Sequence, residues 1–171
     1  MKKKAVTKKA AAKKAPAKKR IKPIPEGYHA VTAYLSVRDA AAAIDFYKRA
    51  FGAREQMRLE GPGNKVAHAE LKIGDSIVML ADESAEMEFF GPKTRGGTTV
   101  ILHLYVRDCD KVVAASQAAG AKVQRPVKDQ FYGDRSGMIE DPFGHLWNVA
   151  THTEDLTKAQ IRRRLEKMGA E

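Results

Sequence analysis

Two pairs of side chains in this sequence have the types and spacing that metal binding or proton transfer requires. His68 and Glu70 are two residues apart, as are His103 and Tyr105. Residues two apart in a β-strand lie on the same face, so each pair can point into one site. An imidazole near a carboxylate can bind a divalent cation or act as an acid–base pair. A metal site of this kind would use His68, Glu70 and His103.

Further polar residues are predicted on the same surface. Tyr132 and Arg135 precede the last predicted hairpin. Arg135 can hold an anionic ligand with two parallel hydrogen bonds, or it can pair with Asp134 or Asp141. We expect a pocket lined by these ligand-binding candidates: Tyr34, His68, Glu70, His103, Tyr105, Tyr132, Arg135 and Asn148. A second interpretation is that the polar groups only satisfy one another along a pocket wall or a subunit seam. Catalytic residues stay unassigned.

The elements that would hold these residues occur twice. The segment Val100 to Asp108 aligns with Val31 to Asp39, and Val-Arg-Asp is repeated outright. Each copy predicts a strand, a helix that begins after the aspartate, and three more strands. The predicted helices are 40–51 and 109–119; the predicted strands are 30–37, 53–60, 65–73, 75–82, 100–108, 121–126, 130–140 and 145–152. The sequence therefore predicts an α+β fold of two βαβββ modules, module 1 (28–85) and module 2 (98–152).

The turn Asp141-Pro142-Phe143-Gly144 leads into the last predicted strand. This turn resembles the closing hairpin of the vicinal oxygen chelate superfamily, and the Val-Arg-Asp before each predicted helix is a second motif of that superfamily. Its members include glyoxalase I, extradiol dioxygenases and the bleomycin and fosfomycin resistance proteins. His68-Ala69-Glu70-Leu71 and Gly133-Asp134-Arg135-Ser136-Gly137 are similar to its PhnB-like subgroup. The resemblance covers about residues 28 to 152. It implies a cup-shaped mixed sheet with a ligand site on its concave side, and a homodimer.

The same resemblance implies where a metal would be held. Superfamily enzymes bind a divalent cation through four inward side chains, and the matching positions here are Thr32, Met79, Ile101 and Asn148. Ile101 offers no ligand atom, a thioether is soft, and neutral hydroxyl and amide oxygens are weak ligands. We therefore expect no metal at these positions and no other cofactor. A divalent metal would need the displaced site proposed above.

The net charge of +10 comes from one end of the chain. Residues 1–22 hold eleven positive charges and no acid; removing these from the 31 basic residues leaves 20 against 21 acids. Such a Lys/Ala-rich segment has no apolar face to bury, so it is predicted to be disordered. It could bind nucleic acid without sequence preference. The other end, 153–171, has the apolar spacing of an amphipathic helix.

The cellular setting is constrained by composition. A single cysteine, Cys109, cannot form an intrachain disulfide, and no secretory signal follows Met1. No apolar run approaches the roughly 18 residues of a membrane span. We expect a cytoplasmic protein without a membrane partner, associated with the nucleoid if the basic segment binds DNA.

Three functions remain open from the sequence. The first is binding of a small molecule in the cup, with or without metal-free catalysis. The second is a metal-dependent lyase or dioxygenase that uses the displaced site. The third is a nucleic-acid-associated protein recruited by residues 1–22.

Overall fold

The computed structural model describes residues 21–168. The predicted basic tail falls almost wholly outside these residues, as do residues 169–171. Among the helices of residues 21–168, none is long and apolar enough to cross a membrane.

Each module contains one strand, one long helix and three further strands, so the predicted fold class is confirmed. Module 1 consists of β1 (Ala33–Val37), α1 (Ala40–Phe51), β2 (Arg54–Glu60), β3 (Val66–Ile73) and β4 (Ser76–Asp82). A short helix, α2 (Pro92–Arg95), lies in the connection between the two modules. Module 2 consists of β5 (Ile101–Tyr105), α3 (Cys109–Ala118), β6 (Lys122–Asp129), β7 (Asp134–Glu140) and β8 (Leu146–His152), followed by α4 (Lys158–Met168).

The repeated Val-Arg-Asp starts both long helices. The Asp39 carboxylate accepts a hydrogen bond from the backbone N–H of Ala42 at 2.9 Å, and that of Asp108 accepts one from Lys111 at 3.0 Å. A side-chain oxygen at this position satisfies a backbone donor that the first helical turn leaves unpaired. At the far end of α1, Gly52 takes a left-handed conformation with φ of 65° and ends the helix.

Each module forms its own mixed four-stranded sheet. The strand orders are β1-β4-β3-β2 and β5-β8-β7-β6, and only the first pair in each sheet is parallel. The alternation of side chains gives each sheet one apolar face against a helix and one face that the helices leave uncovered. We call the uncovered faces open face 1 (module 1) and open face 2 (module 2).

The two modules share one core between their sheets. Helices α1 and α3 contact each other, and each also packs on the sheet of its own module. Tyr47 and Phe51 of α1 reach Trp147 of β8, with ring centroids 5.5 and 4.8 Å away. The helices therefore lie between the sheets, and the two open faces point away from this layer on opposite sides.

Strand boundaries in module 2 differ from the predicted ones. The strand predicted over 121–126 continues to Asp129, and the one predicted from 130 begins at Asp134. The longer strand runs through Pro126, which has no backbone N–H to donate to a neighbouring strand. The proline is tolerated because β6 is the edge strand of its sheet and is bulged at this point.

Candidate functional site

A chain of three polar side chains crosses open face 1. The Tyr34 hydroxyl lies 3.0 Å from Nδ1 of His68, and His68 Nε2 lies 3.3 Å from a Glu70 carboxylate oxygen. With its proton on Nε2, the histidine donates to Glu70 and accepts from Tyr34, so all three groups are satisfied. The strand register explains the arrangement, because Tyr34 and Glu70 are both opposite Met79 of β4. Partial burial raises the pKa of Tyr34 above its usual value, which keeps the phenol protonated.

A cleft lies beside Tyr34, under the loop that follows β4. Its volume is about 570 Å³, within the usual range for small-molecule sites. The Phe89 ring lies 5.2 Å from the Tyr34 ring, and Met87 and Ala81 add apolar surface. Ser36 donates a hydrogen bond to the Phe89 carbonyl at 3.2 Å, which fixes the loop over the sheet. The cleft is mostly apolar, and Lys65 stands at its edge.

The segment 23–30 also lines open face 1. Tyr28, together with Pro25, bounds a second hollow next to Glu70 and Met79. A hydrogen bond to the Glu70 carboxylate raises the pKa of Tyr28 to about 12. The carboxylate of Glu70 therefore has two neighbours, Tyr28 and His68, and both can donate a hydrogen bond.

Polar residues on open face 2 form a separate group. Asn148 Nδ2 lies 3.1 Å from His103 Nδ1, and the rings of His103 and Tyr105 are 4.5 Å apart. The Tyr105 hydroxyl donates to the buried carboxylate of Asp134 at 2.9 Å. That hydrogen bond is the main reason why the pKa of Tyr105 is raised.

Asp134 also holds His152. The distance from His152 Nδ1 to Asp134 is 2.7 Å, and Nε2 lies 3.0 Å from Asp155. The hydrogen bonds to Asp134 and then to Asp155 raise the pKa of His152 above 6.5. Neither Asp134 nor His152 was predicted as a site residue. Asp134 at the start of β7 lies opposite His152 at the end of β8. The register of the predicted hairpin would have indicated this cross-strand pair.

The two remaining candidates, Tyr132 and Arg135, lie apart from each other. Tyr132 is at the edge of open face 2, and Arg135 is on the other side of the same sheet. Tyr132 lies in the loop before β7 and lines a small pocket on open face 2. Arg135 lies on the helix side of β7, where it pairs with Asp110 of α3 at 2.7 and 2.8 Å and with Asp129 at 3.1 Å. Its guanidinium is therefore bound to these two acids, not to either of the two aspartates predicted as partners, and it is not directed at the surface that holds Asn148.

The structure does not bring all the candidate residues into one pocket. Tyr34, His68 and Glu70 share open face 1, whereas His103, Tyr105 and Asn148 share open face 2. Within residues 21–168, no hydrogen bond or ring contact joins the two groups. A displaced site made of His68, Glu70 and His103 is therefore not assembled by one chain.

The positions that resemble metal-ligand positions do not suit a divalent cation. Thr32 and Met79 belong to open face 1, and Ile101 and Asn148 to open face 2. The Asn148 amide is engaged with His103, and Ile101 has no donor atom. In the part of the chain that the structure describes, no group of three His, Cys, Asp or Glu residues is placed to hold a metal ion.

Two βαβββ modules with mixed sheets and open faces define the fold class of the glyoxalase type. The chain belongs to the Glyoxalase/Bleomycin resistance protein/Dioxygenase superfamily, whose family profile matches residues 28–149. The superfamily that the sequence motifs predicted is therefore confirmed.

Individual relatives extend this assignment. The uncharacterized protein Rv0887c of Mycobacterium tuberculosis is 39% identical over 143 residues, which cover 82% of this chain and 84% of that protein. The crystal structure of TioX from Micromonospora sp. ML1 is 32% identical, with a TM-score of 0.58, and covers 71% of this chain and 96% of that one. A gene product of Arabidopsis thaliana is 27% identical, with a TM-score of 0.57, and covers 72% of this chain and 98% of that one.

Proposed function

We propose that this protein binds a small, largely apolar molecule in the cleft beside Tyr34, without a metal. The observation that carries the proposal is the cleft itself, of about 570 Å³, between open face 1 and the loop that holds Phe89. Apolar walls with few polar groups are typical of small-molecule sites. The Tyr34 and Phe89 rings favour a flat or aromatic ligand, because aromatic pairs gain energy beyond the area they bury.

The polar groups next to the cleft set the orientation of such a ligand. Tyr34 is about half exposed, so its ring is available to a ligand while its hydroxyl is held by His68. Glu83 is not available, since it accepts hydrogen bonds from the backbone N–H of Gly91 and the hydroxyl of Thr94. Of the described residues that line the cleft, Lys65 is the one with a positive charge.

We also propose that a second copy of the chain closes the open faces. Leu59 on β2 is 52% exposed and Tyr105 on β5 is 60% exposed, and both belong to the outer surface of a sheet. Met57 and Ile101 add to these apolar surfaces. Contact between open face 1 of one chain and open face 2 of another would bury all four and bring the two groups of polar residues together.

Fluorescence titration with the neutral aromatic probe N-phenyl-1-naphthylamine tests the binding proposal. Tyr34→Ala and Phe89→Ala remove the two ring walls and should each weaken binding by about tenfold or more. The matched control is Leu165→Ala, which shortens an exposed side chain on α4, away from the cleft. Equal affinity in all four proteins would contradict the proposal.

Sedimentation velocity tests the subunit proposal. Met57→Lys with Leu59→Lys places two charges on open face 1 and should convert a dimer to a monomer. Leu165→Lys adds a charge to an exposed apolar position on α4 and should leave the dimer intact. A wild-type protein that sediments as a monomer at the highest usable concentration would contradict this proposal.

Two finer assignments rest on the sequence. The motifs around His68 and Gly133 support membership of the PhnB-like subgroup. The eleven positive charges of residues 1–22 support a second function, retention on nucleic acid. Deletion of residues 1–22 should lower DNA retention at low salt much more than at high salt. Unchanged retention would exclude these residues as the DNA-binding segment.

A further inference from the structure

Open face 2 holds a second, smaller pocket that differs in character from the cleft of module 1. Its volume is about 270 Å³. Met138 and Ser136 form its buried floor. Its polar rim is formed by Arg125, Lys128, Gln130, Tyr132 and Asn148. None of these rim residues is acidic, and two of them carry a positive charge.

A β-bulge places the two cations on the same face. Arg125 is opposite Met138 of β7, whereas Lys128 is opposite Ser136. Three steps along β6 therefore match two steps along β7, and the extra residue lies at Pro126 or Val127. In a regular strand, residues three apart point to opposite faces. The bulge turns Lys128 to the side of Arg125, and bulges commonly redirect a side chain in this way.

Gly137 allows the bulge to lie close to β7. A Cβ atom at this position would lie 2.8 Å from Val127 Cγ2 and 3.1 Å from the Val127 backbone N. Both distances are shorter than the usual contacts of a Cβ atom, so a side chain here would push Val127 away. The pocket thus depends on the bulge in the edge strand β6, which tolerates Pro126, and on the lack of a side chain at Gly137 of β7.

The two cations have no acidic partner within residues 21–168. The nearby acids are already engaged: Asp134 by Tyr105 and His152, and Asp129 by Arg135 on the other side of the sheet. Glu140 accepts from Lys93 and Gln124. The positive charge in the pocket is therefore not neutralised by the described part of the chain.

We propose that this pocket binds the anionic group of a small organic acid, a carboxylate or a phosphate ester. The guanidinium of Arg125 can form two parallel hydrogen bonds with such a group, and Lys128 supplies a second positive charge. Tyr132 offers a hydroxyl donor at the rim, and Met138 and Pro126 offer apolar surface to the rest of the ligand. This proposal does not rest on the cleft of module 1, which lies on the opposite side of the helix layer.

The test is a titration of the full-length ¹⁵N-labelled protein with benzoate, phenyl phosphate and benzamide, followed by two-dimensional NMR. Benzamide has nearly the shape of benzoate without its charge. At least one anion should shift the backbone resonance of Gly137 and the side-chain amide resonances of Gln130 and Asn148. Benzamide should bind at least about tenfold more weakly. Tighter binding of benzoate would identify a carboxylate site, and tighter binding of phenyl phosphate a phosphate site.

Variants distinguish anion binding in this pocket from general attraction to positive charges elsewhere on the protein. Arg125→Gln with Lys128→Gln should reduce anion affinity by at least about tenfold. The matched control, Arg162→Gln with Arg163→Gln on α4, removes the same charge and should leave affinity unchanged. Equal binding of benzamide, or an equal loss in the control, would overturn the proposal. The comparison of benzoate with benzamide in the unmodified protein stands even if the double variant fails to fold.

Discussion

The hydroxyl of Tyr47 donates a hydrogen bond of 2.7 Å to Asp141, and this contact joins α1 of module 1 to the last hairpin of module 2. The same carboxylate oxygen accepts from the indole N–H of Trp147 at 2.9 Å. Its other oxygen accepts from the backbone N–H groups of Phe143 and His145. Asp141 is 2% exposed, so a buried charge is held by four donors at the junction of the modules.

Tyr47→Phe should destabilise the protein by about 1.5–3 kcal/mol, because a buried charged acceptor loses one of its donors. Burial, and then the charge of Asp141, raise the pKa of Tyr47 well above its ordinary value, so the donor is present throughout the physiological range. Chemical unfolding measures the change. Tyr34→Phe, at a half-exposed hydroxyl, serves as the control and should cost less. Equal losses in the two variants would show that burial of the acceptor is unimportant.

His152 should titrate with a midpoint above 6.5, because Asp134 and Asp155 stabilise its charged form. A raised pKa in the folded state means that the ion pair stabilises the protein fully below pH 6.5. This stabilisation is lost as the pH rises through the folded value. Proton NMR of the imidazole gives the midpoint, and His152→Gln should remove this part of the pH dependence of stability. A midpoint at or below 6.5 would contradict the ion pairs.

Arg135→Gln should leave binding of benzoate and phenyl phosphate unchanged and lower the thermal midpoint slightly. The reason is that Arg135 holds Asp110 at the start of α3 and does not face the pocket on open face 2. Calorimetry and the NMR titration measure the two effects. A loss of anion binding that matches the Arg125 variant would restore Arg135 as a ligand-binding residue.

Gly137→Ala should destabilise the protein by about 1–3 kcal/mol, because the added methyl overlaps Val127. It should also weaken anion binding, since the bulge that aligns Arg125 with Lys128 cannot lie as close to β7. Gly61→Ala serves as a milder comparison, because its Cβ would approach the Ala67 methyl only to 3.3 Å, which requires a smaller shift and should cost less. Unchanged stability in Gly137→Ala would mean that β6 adapts without loss of the bulge.

The repeat was the most informative feature of the sequence. Because Val-Arg-Asp recurs with apolar strands before it and helical spacing after it, both modules could be predicted. Their helices begin after Asp39 and Asp108 as expected. The alternation of residues also predicted that His68 and Glu70 lie on the same face of their strand, and that His103 and Tyr105 lie on the same face of theirs.

The packing of the two sheets could not be predicted in the same way. The alternation of side chains along a strand indicates which residues share a face of a sheet. It gives no information about which faces of the two sheets meet. The helix layer between the sheets separates His68 from His103, which the sequence had grouped together. The bulge at Pro126 was also missed, because the strand was predicted to end at residue 126 and a regular strand places residues three apart on opposite faces. Arg125 and Lys128 were therefore not recognised as neighbours.

The position of Tyr28 has a practical consequence for work on this protein. The segment that carries it touches Glu70 and lines the same hollow as Met79, so the beginning of the described chain is in contact with open face 1. Removal of residues 23–30 would therefore expose Glu70 and Met79 and change the surface offered to a ligand or a second subunit. A shortened protein for ligand screens or subunit measurements should keep this segment.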